Sequence, residues 1–390
     1  MTFFRFFLLF VFLIPLSQTA SSAGLALLTV ASLILPQRIP ALVGWVKNSW
    51  DMLLFFLMLG IGLSYSEDKT SGWSTLETSL SLITVPLVMT RLGEFGPRQL
   101  QQVFLAFTAG LIVALCICLS YAGYRLGHGG GTPVFFFYNL TGVIDFQPTY
   151  VAYYLIASIT FGFYLLYYEK PAVSIKWIAA TLIFLFGALL LTGGITAFVS
   201  VLYVFAFFML KYLLEAKSRI QTVTFVLVCL MVAGMFTFNE LRHIDPTGFS
   251  LDDSWERLDL WEAALQACAN PLLGVGTGDG EAVLNAYYAG HGMAQYASSN
   301  LNPHNQFISV YLSNGLLGLI SFLLLLFRPL YLSVKRSNAL GALIFFPFII
   351  YGMTEVFLGR YQGVIFFALL RQSFILFYQG FTPTFSLKRA

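Results

Sequence analysis

Charged side chains are scarce in this chain. Asp, Glu, Lys and Arg make up 10% of the 390 residues, whereas a soluble globular domain carries about 25%. Hydrophobic residues account for 58%, among them 40 phenylalanines, and the mean hydropathy is +0.79. The chain therefore lacks the polar surface that a water-soluble fold requires. This composition predicts an all-α, polytopic integral membrane protein.

Metal-ligand spacings and basic clusters are also lacking. None of the four cysteines, Cys116, Cys118, Cys229 and Cys268, has the spacing of a metal-ligand pair, so we expect no metal site. The net charge is only +3, and no run of Lys and Arg is typical of a nucleic-acid-binding protein. These absences exclude zinc modules and nucleic-acid partners, and they leave membrane lipid as an expected partner.

Apolar segments of the length that a bilayer requires, roughly 17–25 residues, recur along the chain. Together they predict about twelve transmembrane helices. Clear spans are predicted at residues 51–64, 102–121, 149–167, 175–192, 196–214, 222–238, 306–327, 339–357 and 363–378. Shorter candidate spans are residues 3–18, 23–35 and 76–89.

These spans divide the chain into three parts. Residues 1–238 hold transmembrane helices 1–9, residues 239–305 form one long polar loop, and residues 306–390 hold helices 10–12. An alternative interpretation of residues 1–23 is that they form a signal peptide, because Arg5 precedes an apolar core and small residues follow that core. That alternative leaves the orientation of every later helix unchanged.

The basic residues predict the orientation. With the N-terminus inside, 15 of the 21 Lys and Arg residues fall on the inner side, which is the side that positive loops prefer. The long loop then lies outside. We therefore expect the chemistry of this protein to take place on the outer side of the membrane.

The long loop has structure of its own. Asp253 and Glu256 have capping-box spacing, and apolar residues from Trp255 to Cys268 then recur at helical spacing. This pattern predicts an amphipathic helix along the membrane surface. Glycines at alternate positions from Gly274 to Gly280 predict a flexible, strongly turned segment. A nucleotide-binding interpretation is disfavoured, because no strand precedes these glycines and no Lys-Ser/Thr pair follows them.

The junction of the loop with the next span is where chemistry is expected. Asn302 is predicted to cap the helix, with Pro303 at its first position and His304 in its first turn. The positive end of the helix dipole disfavours a protonated imidazole, so we expect a neutral ring that accepts a proton. The alternative is that His304 is only an interfacial or capping residue.

Residues 257–318 contain four motifs, which are Arg257-x-x-x-Trp261, Asn270-Pro271-Leu272-Leu273-Gly274-Val275-Gly276-x-Gly278, Asn302-Pro303-His304-Asn305 and Ser313-Asn314-Gly315-Leu316-Leu317-Gly318. With these motifs the region resembles the signature region of the O-antigen ligase and polysaccharide polymerase family. Glu355 and the run from Gly363 to Phe367 look similar to that family too.

The resemblance implies a bacterial inner-membrane protein with its active site on the periplasmic side. It implies transfer of a glycan from undecaprenyl diphosphate onto an acceptor such as lipid A-core, without a metal or nucleotide cofactor. It assigns His304 as the general base and Arg257 as a ligand of the diphosphate. The chain departs from the family pattern at Ile195, where family members often carry an arginine. A second cation is therefore expected elsewhere, with Arg360 as the first choice and Arg242 as the second.

Other residues are expected to support the site. Glu355 is expected to orient His304 or Arg360, or else to cap its helix. Asn302, Asn305 and Trp261 complete this supporting group. For each arginine the alternative role is a snorkelling anchor or a surface ion pair. Three further polar residues within or beside the spans are interpreted as helix-packing groups: Asp51, Glu77 and Arg371.

Two other functions stay open at this point. A repeat-unit polymerase of the same family differs only in its acceptor, which is another lipid-linked glycan. A polysaccharide transporter or flippase requires charged residues deep in several spans and an internal repeat, and the sequence shows neither clearly.

Overall fold

The computed structural model describes residues 2–34, 39–92, 95–168, 174–214, 219–242 and 253–380. Side chains are described within these ranges except at residues 39–42, 168, 219–220, 223–224, 235–242, 253–255 and 379–380. Part of the predicted loop, residues 243–252, therefore lies outside the described residues.

The described residues form helices, and no strand occurs among them. Three consecutive helices of the first third are α1 (Thr2–Leu13), α2 (Gln18–Ile34) and α3 (Ile39–Tyr65). They are followed by α4 (Lys69–Ser79), α5 (Ser81–Met89), α6 (Pro97–Gly127), α7 (Phe137–Thr141), α8 (Pro148–Tyr168), α9 (Ile175–Thr192), α10 (Ile195–Leu214) and α11 (Arg219–Arg242). The last third contains α12 (Asp253–Ala267), α13 (Gly280–Gly290), α14 (Ala294–Ser298), α15 (Gln306–Lys335), α16 (Ala339–Thr354) and α17 (Tyr361–Gly380). Short 3₁₀ helices occur at Thr90–Leu92, Thr132–Phe135, Gly142–Ile144 and Phe357–Gly359.

Helices dominate because a bilayer offers no water to the backbone, so each spanning segment must satisfy its own N–H and C=O groups. Seven described helices are long and apolar enough to cross a membrane, and these lie in α3, α6, α8, α9, α10, α15 and α17. Four apolar helices or helix segments are shorter: α1, α2, the part of α11 at Phe225–Gly234, and α16. The all-α membrane class is confirmed, whereas the total of about twelve spans and the periplasmic position of the loop stay predictions.

The span predicted at residues 76–89 is wrong as a single helix. The chain forms α4 and α5 there, with Leu80 as the joint between them. α4 is polar, and its N-cap Asp68 accepts hydrogen bonds from the Ser71 N–H (3.0 Å) and hydroxyl (2.6 Å). These bonds hold the pKa of the Asp68 carboxyl below its usual value. Glu77 is exposed on α4, so its predicted role in helix packing is not observed.

The described chain divides into two compact units, of which the first comprises Met1–Ser22 and Gln101–Phe249. In this unit α8 is the central helix, with contacts to α9, α10 and α11. Aromatic rings fill its core. Phe104 and Phe161 stack with ring centroids 4.4 Å apart, and Phe163 meets Phe205 edge to face at 5.6 Å. The abundance of phenylalanine is thus used for packing.

The second unit comprises Ala23–Leu100 and Ser250–Ala390. Within it α15 packs against α3 and α16, and α17 packs against α5. A buried ion cluster joins α3, α15 and α17. The Asp51 carboxylate accepts hydrogen bonds from Arg371 Nε (3.2 Å), from Arg371 Nη2 and from Arg328 Nη1 (2.6 Å). Asp51 and Arg371 therefore serve helix packing, as the sequence predicts.

The glycine-rich turn after α12 pairs with a break in α15. Gly315 interrupts α15 with φ of 62° and ψ of −161°. At this break Val275 N–H donates to the Leu312 carbonyl (2.9 Å), and Leu316 N–H donates to the Pro271 carbonyl (2.9 Å). A Cβ on Gly315 would lie 2.3 Å from the Leu272 carbonyl carbon. The motif glycines thus permit two backbones to approach closely, and the segment is fixed by hydrogen bonds rather than flexible as predicted.

The same turn is anchored to the α3–α4 corner. The Asp279 carboxylate accepts hydrogen bonds from the N–H groups of Glu67 (2.8 Å) and Asp68 (2.7 Å). Gly278 N–H donates to the Ser66 hydroxyl over 3.0 Å. A buried carboxylate that is satisfied by two main-chain donors holds this corner against the turn.

The close approach at Gly278 yields a stability prediction. A Cβ at this position would lie 2.0 Å from the Asp68 carbonyl oxygen, so Gly278→Ala should destabilise the protein by about 1–3 kcal/mol through overpacking. Gly290→Ala is the matched control, because nothing lies within 4 Å of a Cβ at Gly290. Thermal unfolding in detergent measures both variants. Equal melting temperatures for the two variants would show that the pairing is loose.

Candidate active site

The helix predicted in the long loop is present as α12, and it has two apolar faces. Leu258 and Leu265 are about half exposed, so their predicted contact with the membrane surface stays a prediction. Trp255 lies outside the described side chains. The other face packs on protein in a cluster of Leu260, Ala263, Ala264, Cys268, Leu284, Tyr288 and Leu312.

Two side chains of this cluster are titratable groups held in the core. Tyr288 is fully buried, and its hydroxyl donates to the Leu301 carbonyl over 3.3 Å. Burial, with the neighbouring Tyr296 as a second cause, raises the pKa of Tyr288 to about 12. Burial likewise raises the pKa of the Cys268 thiol. Both side chains therefore serve packing.

Two side chains of α12 reach the elements beside it. The indole Nε1–H of Trp261 donates a hydrogen bond of 2.9 Å to the Pro303 carbonyl. One helical turn earlier, Arg257 Nη1 donates over 3.4 Å to the carbonyl of Thr354, the last residue of α16. Residues four apart share one helix face. This face of α12 therefore contacts both the Asn302–Asn305 turn and the end of α16.

The Asn302–Asn305 segment precedes α15 rather than forming its first turn. The N-cap is Asn305, whose Oδ1 accepts from two N–H groups of the first turn at 3.0 and 3.2 Å. The prediction that Asn302 caps the helix, with His304 in its first turn, is therefore wrong. Both asparagines are favourable cap residues, but Asn302 Oδ1 instead accepts from the His304 N–H over 2.8 Å, in an Asx turn.

His304 has an unusual backbone conformation. Its φ is 44°, in the left-handed region that costs a non-glycine residue about 1–3 kcal/mol. The bonds from Trp261 to Pro303 and from His304 to Asn302 hold the turn on both sides. Such a conformation persists where its surroundings over-determine it, and it is common at functional sites.

The His304 side chain lies beside Glu355. His304 Nδ1 is 3.3 Å from Glu355 Oε2, and the two side chains are 32% and 24% exposed. A carboxylate at Nδ1 favours the tautomer with the proton on Nδ1, and Nε2 then keeps its lone pair. Glu355 also ends α16, where its N–H donates to the Tyr351 carbonyl over 2.8 Å. Of the roles expected for Glu355, the structure thus shows contact with His304 and a main-chain cap.

Gln306 is a residue that sequence reasoning missed. Its buried Oε1 accepts a hydrogen bond of 2.7 Å from the Leu358 N–H, which ties the start of α15 to the 3₁₀ helix Phe357–Gly359. This 3₁₀ helix directly follows the segment that contains Glu355. Gln306 therefore helps fix Glu355 relative to His304. No sequence signal identifies it, because a glutamine after an N-cap is unremarkable and its partner is 52 residues away.

The other two arginines predicted to bind the diphosphate, Arg360 and Arg242, lie in different parts of the fold. Arg360 is exposed just before α17, and its carbonyl accepts from the Gly363 and Val364 N–H groups, both at 3.1 Å. Arg242 is the last residue of α11 in the first unit, and its side chain lies outside the described residues. Ile195, where the family arginine is missing, begins α10 in that unit and is 49% exposed.

Metal chemistry has no obvious site in the part of the chain that the structure describes. No group of three or more His, Cys, Asp or Glu side chains there is arranged to hold a metal ion. The assembled groups are instead an imidazole, a carboxylate and a guanidinium. Together they can move a proton and bind an anion.

A comparison with protein families gives a match to residues 180–323, and the matched family is described as O-antigen ligase. The match supports membership of the O-antigen ligase family. The resemblance inferred from the motifs is thus confirmed over the matched residues. No curated protein matches the chain.

The O-antigen ligase match covers less than half of the chain. It includes Arg257, Trp261 and His304 but ends before Glu355 and Arg360. The pairing of the family histidine with a carboxylate outside the matched segment thus comes from the folded structure.

Proposed function

We propose that this protein transfers a glycan from undecaprenyl diphosphate to a hydroxyl group of an acceptor, with lipid A-core as the leading acceptor. The contact between His304 Nδ1 and Glu355 Oε2, 3.3 Å long, carries the proposal. It gives the imidazole the orientation of a general base, and Arg257 contacts the residue next to Glu355.

The proton transfer follows from this orientation. Glu355 accepts the Nδ1–H bond, so Nε2 accepts the proton of the acceptor hydroxyl as its oxygen attacks the anomeric carbon. The bond between that carbon and the diphosphate oxygen breaks, and undecaprenyl diphosphate leaves with the electron pair. Glu355 stabilises the imidazolium that forms. A positioned base of this kind supplies about 10²–10⁴-fold in rate.

The leaving diphosphate requires cations. Arg257 has five N–H donors in a planar fork that matches phosphate oxygens, and one described hydrogen bond, to the Thr354 carbonyl, occupies Nη1. A diphosphate carries at least two negative charges, so one guanidinium leaves charge uncompensated. Arg360 is the proposed second cation, because it follows Glu355 by one 3₁₀ helix, and Arg242 is the alternative.

The proposed role of His304 predicts which glycans accumulate when a variant is expressed in a strain that lacks the chromosomal copy of this gene. Expression of the His304→Ala variant should leave lipid A-core without long chains while the lipid-linked polymer accumulates, because the acceptor hydroxyl loses its base. Gel profiling of both glycan pools measures this, with immunoblots of membranes to check protein level. His291→Ala is the matched control, since His291 is another exposed loop histidine that stacks on Tyr287.

The outcomes separate the candidate functions. Wild-type chains with His304→Ala would contradict the catalytic role. Lipid A-core that carries single repeats would favour the polymerase, whose acceptor is another lipid-linked glycan. Loss of function with both histidine variants would indicate a structural role for the loop.

The proposed role of Arg257 predicts that lysine cannot replace it. Arg257→Lys should reduce transfer by at least tenfold, because lysine keeps the charge but loses the bidentate fork. Arg360→Ala should raise the donor concentration needed for half-maximal rate. Rates with purified protein and lipid-linked donor measure both, and Arg336→Lys at the other end of α15 is the control. Silent Arg360 and Arg242 variants would overturn the two-cation arrangement, and a fully active Arg257→Lys would overturn bidentate binding.

The periplasmic position of the site is testable by labelling. Ser299, at the end of α14, is exposed, so Ser299→Cys in a chain without its four native cysteines should react with a membrane-impermeant maleimide in intact cells with a permeabilised outer membrane. Ser337→Cys, beyond the far end of α15, should react only after lysis. The reverse pattern would contradict the orientation.

A further inference from the structure

A groove runs along the second unit at the end of α15 that lies away from His304. It is bounded by Trp50 of α3 and by the face of α15 from Ile320 to Leu332, and its volume is about 540 Å³. Its walls are almost entirely apolar, and Arg328 and Tyr331 are among the residues that line it. This volume falls in the ~300–1,000 Å³ range of small-molecule sites, and the candidate active site does not use it.

The depth of the groove follows from helix geometry. Arg328 follows Gln306 by 22 positions in α15, whose axis is broken once, at Gly315. The two helical parts together correspond to about 33 Å at ~1.5 Å per residue. The hydrocarbon layer is about 30 Å thick. With Gln306 near one surface of the membrane, Arg328 lies at the opposite surface. The stretch from Ile320 to Phe327 then lies at the depth of the acyl chains of that leaflet.

The polar end of the groove carries surplus positive charge. Arg371 alone engages both carboxylate oxygens of Asp51, and Arg328 adds a second guanidinium to the same Oδ1. The other described hydrogen bonds of Arg328 go to neutral carbonyls, of Asn48 (3.1 Å) and Lys47 (3.4 Å). Two guanidinium groups thus share one carboxylate. The cluster has a net charge of +1 beside an apolar wall, where an uncompensated charge is costly.

Further groups extend this cationic end towards the membrane surface. Arg328, Tyr331 and Lys335 follow one another at i, i+3 and i+7, so they share one face of α15. The Lys335 Nζ lies 5.6 Å from the centre of the Tyr331 ring, and the Arg328 guanidinium lies 4.9 Å from that of Trp50. Cations held against aromatic rings at headgroup level are well placed to bind a lipid phosphate.

We propose that this groove binds an anionic phospholipid, with its phosphate between Arg328 and Lys335 and an acyl chain along Ile320–Phe327. The apolar walls select a chain, and the two cations select a headgroup with net negative charge. A zwitterionic headgroup carries its own ammonium, which the same cations repel. Each basic residue near such a lipid surface strengthens binding by roughly three- to fivefold, so two of them predict a preference of at least about tenfold.

Native mass spectrometry of the full chain in a neutral detergent tests the proposal. The protein is titrated with phosphatidylglycerol and, separately, with phosphatidylcholine of the same acyl chains. We expect phosphatidylglycerol to bind about tenfold more tightly. Arg328→Gln and Lys335→Gln should each reduce this preference to threefold or less. Arg336→Gln should leave it unchanged, since Lys335 lies against Tyr331 of the groove lining, whereas the Arg336 side chain has no described contact with that lining.

Two variants and a competition measurement complete the test of the lipid site. Lys335→Gln lies outside the buried ion cluster, so it remains informative if Arg328→Gln fails to fold. Leu324→Trp, which fills the groove, should weaken the binding of both lipids. Equal affinity for the two lipids would overturn the proposal, as would an equal loss with Arg336→Gln. Displacement of phosphatidylglycerol by millimolar glycerol phosphate would also overturn it, because the site would then bind a soluble phosphate and not a lipid.

Discussion

The main-chain pairing between the Asn270–Gly278 turn and the break in α15 at Gly315 is the interaction on which the candidate site depends. A helix interrupted at Gly315 exposes backbone groups that must find partners, and the turn supplies them through Val275 and Pro271. The turn also holds the corner between α3 and α4 through Asp279. The pairing thus ties the turn that follows α12 to the middle of α15 and to the α3–α4 corner.

Hydrogen bonds at the start of α15 then position the residues of the candidate site. Trp261 holds the Pro303 carbonyl, Asn302 holds the His304 N–H, and Gln306 holds the Leu358 N–H. The left-handed backbone of His304 is maintained by these partners, and they direct its imidazole towards Glu355. At the end of α16 the Arg257 guanidinium contacts Thr354, and the next residue is Glu355, which supplies the carboxylate. A general base and an anion-binding group are thus positioned together.

The sequence predicted the features that depend on composition and local spacing. Charge scarcity and apolar runs identify an all-helical membrane protein, and helical spacing identifies α12. The motifs also carry the resemblance to the O-antigen ligase family, which the match to residues 180–323 supports. The failures are of a different kind. Asn302 and Asn305 are equally favourable N-cap residues by sequence. The structure shows that Asn305 caps α15, because Asn302 Oδ1 accepts from the His304 N–H instead. The Leu76–Met89 segment reads as one apolar run, but the Asp68 cap starts a polar helix that ends at Ser79. Gln306 and the pairing of His304 with Glu355 depend on contacts across about 50 residues, which no local pattern contains.

The central claim is that His304 and Glu355 act as one unit, and a double-mutant cycle on the transfer rate tests it most directly. The rates of the purified wild type, His304→Ala, Glu355→Gln and the double variant are measured with one lipid-linked donor and one acceptor. If Glu355 acts through the imidazole, Glu355→Gln slows transfer by at least tenfold on its own but slows the His304→Ala variant by less than twofold. Independent, multiplying effects, or a fully active Glu355→Gln variant, would contradict the account.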